Sequence, residues 1–246
     1  MDDIYLTIVI PAHNEEKRLP GTLTKVHSFI QSQEYPAEVL VVENASQDLT
    51  LSIAQEFAGR YPEFRVLHEA GRGKGLAIQK GMLAARGAYR FMCDADLSMP
   101  IEEVSRFLPP RSDCYDIAIG SREAPGAVRY NEPFYRHFGG RMINAIIRWL
   151  ALPGLQDTQC GFKCFRADVA EDLFRSQTLP GWSFDIEVLY IARLRNYRVI
   201  EIPIPWYFNP DSKLSAFKDA LQMSKDILII RENKRRGIYA QHADEV

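Results

Sequence analysis

Short runs of aliphatic and β-branched residues recur through the first half of the chain, and between them apolar residues fall three and four apart. Tyr5 to Ile10, Val39 to Val42, Phe64 to Leu67 and Tyr89 to Cys93 read as strands, with amphipathic helices over 20–33, 48–59 and 74–86. Strands alternating with helices at this spacing predict βαβ units. The fold class is therefore α/β, with a mostly parallel central sheet and helices on both faces. The loops that follow the strands, Pro11 to Glu16, Glu43 to Asp48 and Asp94 to Pro100, then share the sheet edge where such folds bind ligands.

The second half is less regular. Asp116 to Gly120 reads as a strand, and the turn-rich EAPGAVRYNEP that follows is expected to be a mobile loop. Phe134 to Leu152 reads as an amphipathic helix, with Phe138, Met142, Ile146 and Leu150 on one stripe and His137, Arg141, Asn144 and Arg148 on another. Cys160 to Phe165 reads as a strand, Phe184 to Arg195 as a helix, Val199 to Ile204 as a strand and Leu214 to Arg231 as a closing helix. No repeat or linker divides the chain, so one domain over 1–246 is expected.

Composition narrows the class without naming a chemistry. A chain of 246 residues with 46% apolar and 25% charged residues is large enough to bury a core without metal or disulfide staples. A net charge of -2 gives no global attraction to nucleic acid, so any anion binding has to be local. Cys93, Cys114, Cys160 and Cys164 have neither zinc-site spacing nor the density of a secreted scaffold, and are expected to be reduced thiols in a cytoplasmic setting. The acidic start lacks a signal-peptide pattern and no run is long enough to span a bilayer, which leaves contact with a membrane surface open.

The candidate chemistry begins at FMCDADLSMP. Asp94 and Asp96 stand two apart at a strand end, so both carboxylates would point to one side. Two anions that close repel unless a cation lies between them, and Mg²⁺ or Mn²⁺ shared with phosphate oxygens would meet that need. The other reading is a solvated turn in which Ser98, Pro100, Glu102 and Glu103 start a helix. Further back, EAGRGKGLAIQKG places three glycines around Arg72 and Lys74 before a helix. Such a loop brings backbone amides and two cations towards phosphate, or is simply a flexible turn. It fits neither the Walker A spacing nor G-x-G-x-x-G.

Taken in order, VIPAHNEEKRLPGTL, VVENASQDLT, GRGKGLAIQKGMLAARG, CDADLSMP, GSR, DTQCGFKCF and WSFDIEVLYIARL resemble the successive motifs of the family-2 inverting glycosyltransferases, over roughly residues 5 to 230. The resemblance is to the branch that holds dolichyl-phosphate β-glucosyltransferases and, more distantly, dolichyl-phosphate mannose synthases. It implies a GT-A fold with a nucleotide-binding half to about residue 120, an acceptor-binding half over about 121–235, and a polar tail over 236–246. Pro11, Ala12, His13, Asn14, Glu15, Glu43 and Asn44 would line the nucleoside pocket, with Arg72 and Lys74 near the diphosphate. Asp94 and Ala95 would approach the nucleotide and Asp96 would hold the metal. Two departures bear on the base: V-D-D-G-S becomes Val42, Glu43, Asn44, Ala45, Ser46, and the aromatic of P-x-Y-N-E is His13.

The reaction implied is displacement at the anomeric carbon of a nucleotide-sugar, UDP-glucose being favoured, with Mg²⁺ or Mn²⁺ easing departure of the diphosphate. A polyprenyl or dolichyl phosphate acceptor is already ionised and needs cations to place it, for which Arg122 and Arg136 are the candidates. Gly140 stands where relatives can carry a hydroxyl one turn after the second arginine. A glycan hydroxyl would need a base instead, and Asp185 or Asp157 would supply it. Asp157 and Gln159 would border the sugar and acceptor, and Glu187 would face the sheet or an arginine. The absence of Q-x-x-R-W argues against a processive synthase. A lipid acceptor would place the protein on the cytoplasmic face of a membrane, with the 134–152 helix or Lys234, Arg235 and Arg236 as contacts. A nucleotide-sugar-binding domain without catalysis is the reading of another class.

Overall fold

The computed structural model describes residues 3–112, 114–133, 151–208 and 216–240, with the backbone alone for 216–221. Arg136 and the expected helix from Phe134 to Leu152, apart from its last two residues, lie outside the described residues, as does the tail beyond 240.

Seven strands form the main sheet among the described residues: β1 (Leu6–Ala12), β2 (Ala37–Asn44), β3 (Phe64–Glu69), β4 (Tyr89–Met92), β5 (Ile117–Ser121), β7 (Lys163–Arg166) and β8 (Val199–Pro203), in the order β3-β2-β1-β4-β7-β5-β8. β1 pairs in parallel with β2 and β4, and β2 with β3. β7 runs antiparallel to both β4 and β5, so the DTQCGFKCF motif enters the middle of the sheet from the opposite direction.

Alternation along the strands explains why both faces are covered. Ile8, Ile10, Val39, Val41, Phe91 and Cys164 pack on one face with Leu19, Leu23 and Val26 of α1 (Leu19–Gln31) and with a 3₁₀ turn, Ile101–Arg106. Val9, Leu40, Val42, Met92 and Phe165 pack on the other with Ala77, Ile78 and Met82 of α3 (Lys74–Ala84). The same face receives α4 (Ala167–Arg175), α5 (Phe184–Leu194) and α6 (Ala216–Arg235), while α2 (Thr50–Arg60) lies against β3. β1, β2, β4 and β5 thus bury nearly all of their side chains on both faces, as strands between helices must.

Several expectations need correction. The segment read as a mobile loop contains β6 (Val128–Tyr130), which pairs in parallel with β9 (Pro205–Tyr207) in a separate ribbon. Tyr130 and Tyr207 stack across it with centroids 4.6 Å apart. Strand β7 starts at Lys163, so Cys160 to Phe162 is loop and not strand. Helix α4 was absent from the sequence reading. Beyond α6 the chain does not leave as a tail at 236, because Tyr239 is buried and its hydroxyl donates to Glu187 Oε1 at 2.6 Å. Cys93, Cys160 and Cys164 are free and buried, and Cys114 is free and exposed.

Candidate active site

A cleft of about 350 Å³ opens at the carboxyl ends of β1, β2 and β4. Pro11, Ala12, His13, Glu15, Asn44, Arg72, Lys74, Asp94, Ala95 and Asp96 all line it, together with Arg18, Gly73, Ala77 and Trp182. Ten of the expected residues therefore meet in one place. The parallel register puts Ala12 of β1 opposite Glu43 of β2, which aligns the loops that follow. Asn14 and Glu43 stand behind the wall. Asn14, at φ 53, ties two loops by accepting from Gln47 N at 2.8 Å. Both oxygens of Glu43 are engaged, by Ser46 N and by His68 Nδ1, each at 2.5 Å. Burial works against its charge, but these bonds outweigh it and lower its pKa. His13 donates from Nδ1 to the Asn44 carbonyl at 2.5 Å, which fixes its ring at the cleft wall.

The acidic pair sits at the cleft floor. Ser98 N donates to Asp96 Oδ1 at 3.0 Å, so Asp96 also closes its own turn, while the 3₁₀ turn that starts after Pro100 has no side-chain cap. Burial and the neighbouring Asp94 charge raise the Asp96 pKa. Lys74 Nζ lies 2.5 Å from Asp94 Oδ1. Burial opposes the Lys74 charge, yet Asp94, Asp185 and Asp96 together outweigh it and raise its pKa. No group of three or more His, Cys, Asp or Glu that could hold a metal occurs among the described residues. A divalent cation here would take its protein ligands from Asp94 and Asp96 and the rest from phosphate and water, a donor set that suits Mg²⁺ or Mn²⁺.

The glycines of GRGKG serve packing as well as access. A Cβ on Gly73 would lie 2.2 Å from the Pro180 carbonyl oxygen, so only glycine lets the loop lie against the 179–183 segment. Gly73 N donates to Asn44 Oδ1 at 2.9 Å, and Leu76 N to Pro180 O at 3.3 Å. Two amides expected to face phosphate are thus already engaged. The positive charge offered to the cleft comes mainly from the Arg72 and Lys74 side chains.

Arg122, Asp157 and Asp185 are held in two ion pairs, the second of them buried on both sides. Arg122 donates from Nε to Asp157 Oδ2 at 2.6 Å and from NH2 to Oδ1 at 2.9 Å, and its backbone N donates to Oδ2 at 3.0 Å. Burial would raise the Asp157 pKa, but the Arg122 charge and bonds outweigh it and bring it down to about 2. Asp157 therefore holds Arg122 and does not stand ready as a base. Glu201 fixes this loop by accepting from Gln156 N and Asp157 N at 2.8 and 2.9 Å. Lys163 Nζ donates to Asp185 Oδ1 and to the Cys160 carbonyl, both at 2.6 Å. Asp185 is 4% exposed, and burial raises its pKa despite Lys163 and Lys74. Neither pair lines the cleft. A Cβ on Gly161 would come 2.0 Å from Asp94 Oδ2, so the glycine of DTQCGF lets that carboxylate fit beneath the loop. The Glu187 carboxylate bonds to neither a strand nor an arginine in these contacts: it accepts from Thr178 N at 3.0 Å, Leu179 N at 2.7 Å and the Tyr239 hydroxyl.

Residues 7–174 match Glycosyl transferase family 2. The chain belongs to that family. This glycosyltransferase family 2 enzyme is 33% identical over 243 residues to a dolichyl-phosphate beta-glucosyltransferase of Homo sapiens, covering 92% of this chain and 74% of that protein. Proteins described by the same name in Dictyostelium discoideum and Saccharomyces cerevisiae are each 30% identical, over 97% of this chain and 77% of theirs. Among solved structures, glucosyl-3-phosphoglycerate synthase from Mycobacterium tuberculosis, in complex with UDP, superposes with a TM-score of 0.65 at 17% identity, over 98% of this chain and 82% of that one. That likeness shows the GT-A fold of the family 2 enzyme.

Three residues in or near the cleft escaped the sequence reading. Arg18 pairs with Glu15 at 2.6 Å, a spacing of three that is legible in HNEEKR. Lys163 sits inside DTQCGFKCF, where a lysine among the apolar residues from Cys160 to Phe165 was the available signal. Trp182 shares its ring with Lys74, whose Nζ is 5.0 Å from the centroid, and nothing in its local sequence announces that.

Proposed function

We propose that this glycosyltransferase transfers glucose from UDP-glucose to a polyprenyl phosphate of the dolichyl type, with inversion, at the cytoplasmic face of a membrane. The relatives' acceptor motivates the reading, and the buried Lys163–Asp185 pair is the structural observation that carries it. Asp185 is the residue that hydroxyl attack would need as a base. Here it is almost wholly buried, tied to an ammonium and absent from the cleft wall. A nucleophile that arrives already ionised needs no such base, and a phosphate monoester does so near neutral pH.

The residues then divide the work. The cleft over β1, β2 and β4 binds the nucleotide, and Arg72 and Lys74 approach its diphosphate. Arg122, held by Asp157, presents what remains of its guanidinium towards the acceptor phosphate, and Arg136 would be its companion. Asp94 and Asp96 would hold Mg²⁺ or Mn²⁺, which when bound supplies Lewis-acid stabilisation of the departing diphosphate. No helix among the described residues is long and apolar enough to cross a membrane.

The test is a donor screen against a short polyprenyl phosphate, with extraction of labelled product into organic solvent. Glucose from UDP-glucose is expected in the lipid phase, mannose from GDP-mannose is not, and chelation of divalent metal is expected to stop transfer. Transfer to a free glycan hydroxyl with none to the lipid phosphate would refute the proposal.

A further inference from the structure

Among the described residues a second hollow, of about 280 Å³, lies between the 179–183 loop and α6. Leu179, Pro180, Trp182 and Met223 give it apolar walls. Its polar rim is internally satisfied: Ser183 Oγ donates to Asp226 Oδ2 at 2.5 Å, and Gln222 Nε2 donates to Asp226 Oδ1 at 2.9 Å. A hexose demands hydrogen-bond partners for its hydroxyls and would find both carboxylate oxygens already engaged. Hydrocarbon makes no such demand, and a methionine wall adapts to a branched apolar guest.

The position of the hollow is as informative as its lining. Trp182 is common to this hollow and to the nucleotide cleft, with the Lys74 ammonium over its ring. On another side, Gln159 Nε2 reaches Met223 Sδ at 3.3 Å, and Gln159 belongs to the loop whose Asp157 holds Arg122. The hollow is thus wedged between the donor cleft and the Arg122 loop. A phosphate placed between those two cationic groups would carry its first carbons towards Trp182 and Met223.

We infer that this hollow receives the isoprene units nearest the phosphate of a polyprenyl phosphate acceptor. The inference rests on the acceptor reading above. The hollow is too small for a whole polyprenyl chain, so the remaining units continue outward into lipid.

The experiment uses a short polyprenyl phosphate bearing a diazirine on its first or second isoprene unit, irradiated with the wild-type protein and mapped by peptide mass spectrometry. Label is expected in residues 179–183 and 222–226, and unlabelled polyprenyl phosphate is expected to compete it away. In parallel, Met223→Lys is expected to raise the KM for polyprenyl phosphate by about ten-fold or more, while the KM for UDP-glucose changes by less than about two-fold. Circular dichroism checks its fold, and Met223→Gln serves if the lysine variant does not fold. Label elsewhere, with lipid-linked glucose still formed, would overturn this inference and leave the proposed function standing. A rise in the UDP-glucose KM instead would assign the hollow to the donor sugar and also overturn it. Absence of any lipid-linked product from wild-type protein would remove both.

Discussion

Asp157 shows how a candidate catalytic carboxylate is committed to structure. It is fully buried, and three donors from Arg122 converge on it. Its folded pKa of about 2 lies below the ordinary value of 3.8, so its stabilising contribution is complete above the unfolded pKa and is lost as the pH falls through the folded one. That difference corresponds to about 2–3 kcal/mol. Asp157→Asn removes it and leaves Arg122 without its counter-charge, and a loss of about 3–5 kcal/mol at neutral pH is expected. Urea unfolding across pH should show the wild type losing stability from about pH 4 towards pH 2, where the variant curve is flatter in that window. An identical acid limb in both proteins would dismiss the pair as a source of stability. Sequence exposed Arg122 and Asp157 as candidates but not as each other's partner, because 35 positions separate them and only the β5–β7 neighbourhood brings them together.

Loops between elements carry the site, and glycine decides how closely they approach. Gly161, just before β7, leaves room for the Asp94 carboxylate that an added methyl would meet at 2.0 Å. Gly161→Ala is therefore expected to push Asp94 aside, because the obstructing atoms belong to a side chain that can move, while the sheet itself keeps its register. Calorimetric titration of UDP in the presence of Mn²⁺ should show affinity lower by about ten-fold or more, with little change in thermal unfolding. Unchanged affinity would mean that Asp94 takes no part in binding the metal–nucleotide complex. The βαβ half was legible because its strands are short unbroken apolar runs and its helices keep a period near 3.6 over ten or more residues. Helix α4 was missed although Val169, Ala170, Leu173 and Phe174 mark a buried face. Nine residues between two other elements offer too short a window for that face to stand out. The β6–β9 ribbon was missed for a stronger reason: two strands of three residues, set among prolines and turns, are defined by each other and not by their own sequence.

The assembled molecule places cations around the cleft and keeps its spare carboxylate out of it, and that division bears on the order of proton and glycosyl transfer. Lys74 and Arg72 line the cleft, Arg122 is held by Asp157, and Asp185 is buried against Lys163. If the acceptor is a phosphate monoester, the ionisation that controls the rate belongs to the substrate. The acceptor kcat/KM should then rise with pH up to the second phosphate pKa, near about 6, and level off above it. Replacing the phosphate by a phosphonate, whose second pKa is higher, should move that limb upward in pH. Asp185→Asn should leave the limb where it is while lowering stability, since it strips the counter-charge from the buried Lys163. Were the limb to follow Asp185 and ignore the phosphonate, the protein would be supplying a base, and a hydroxyl acceptor would have to replace the phosphate in the scheme.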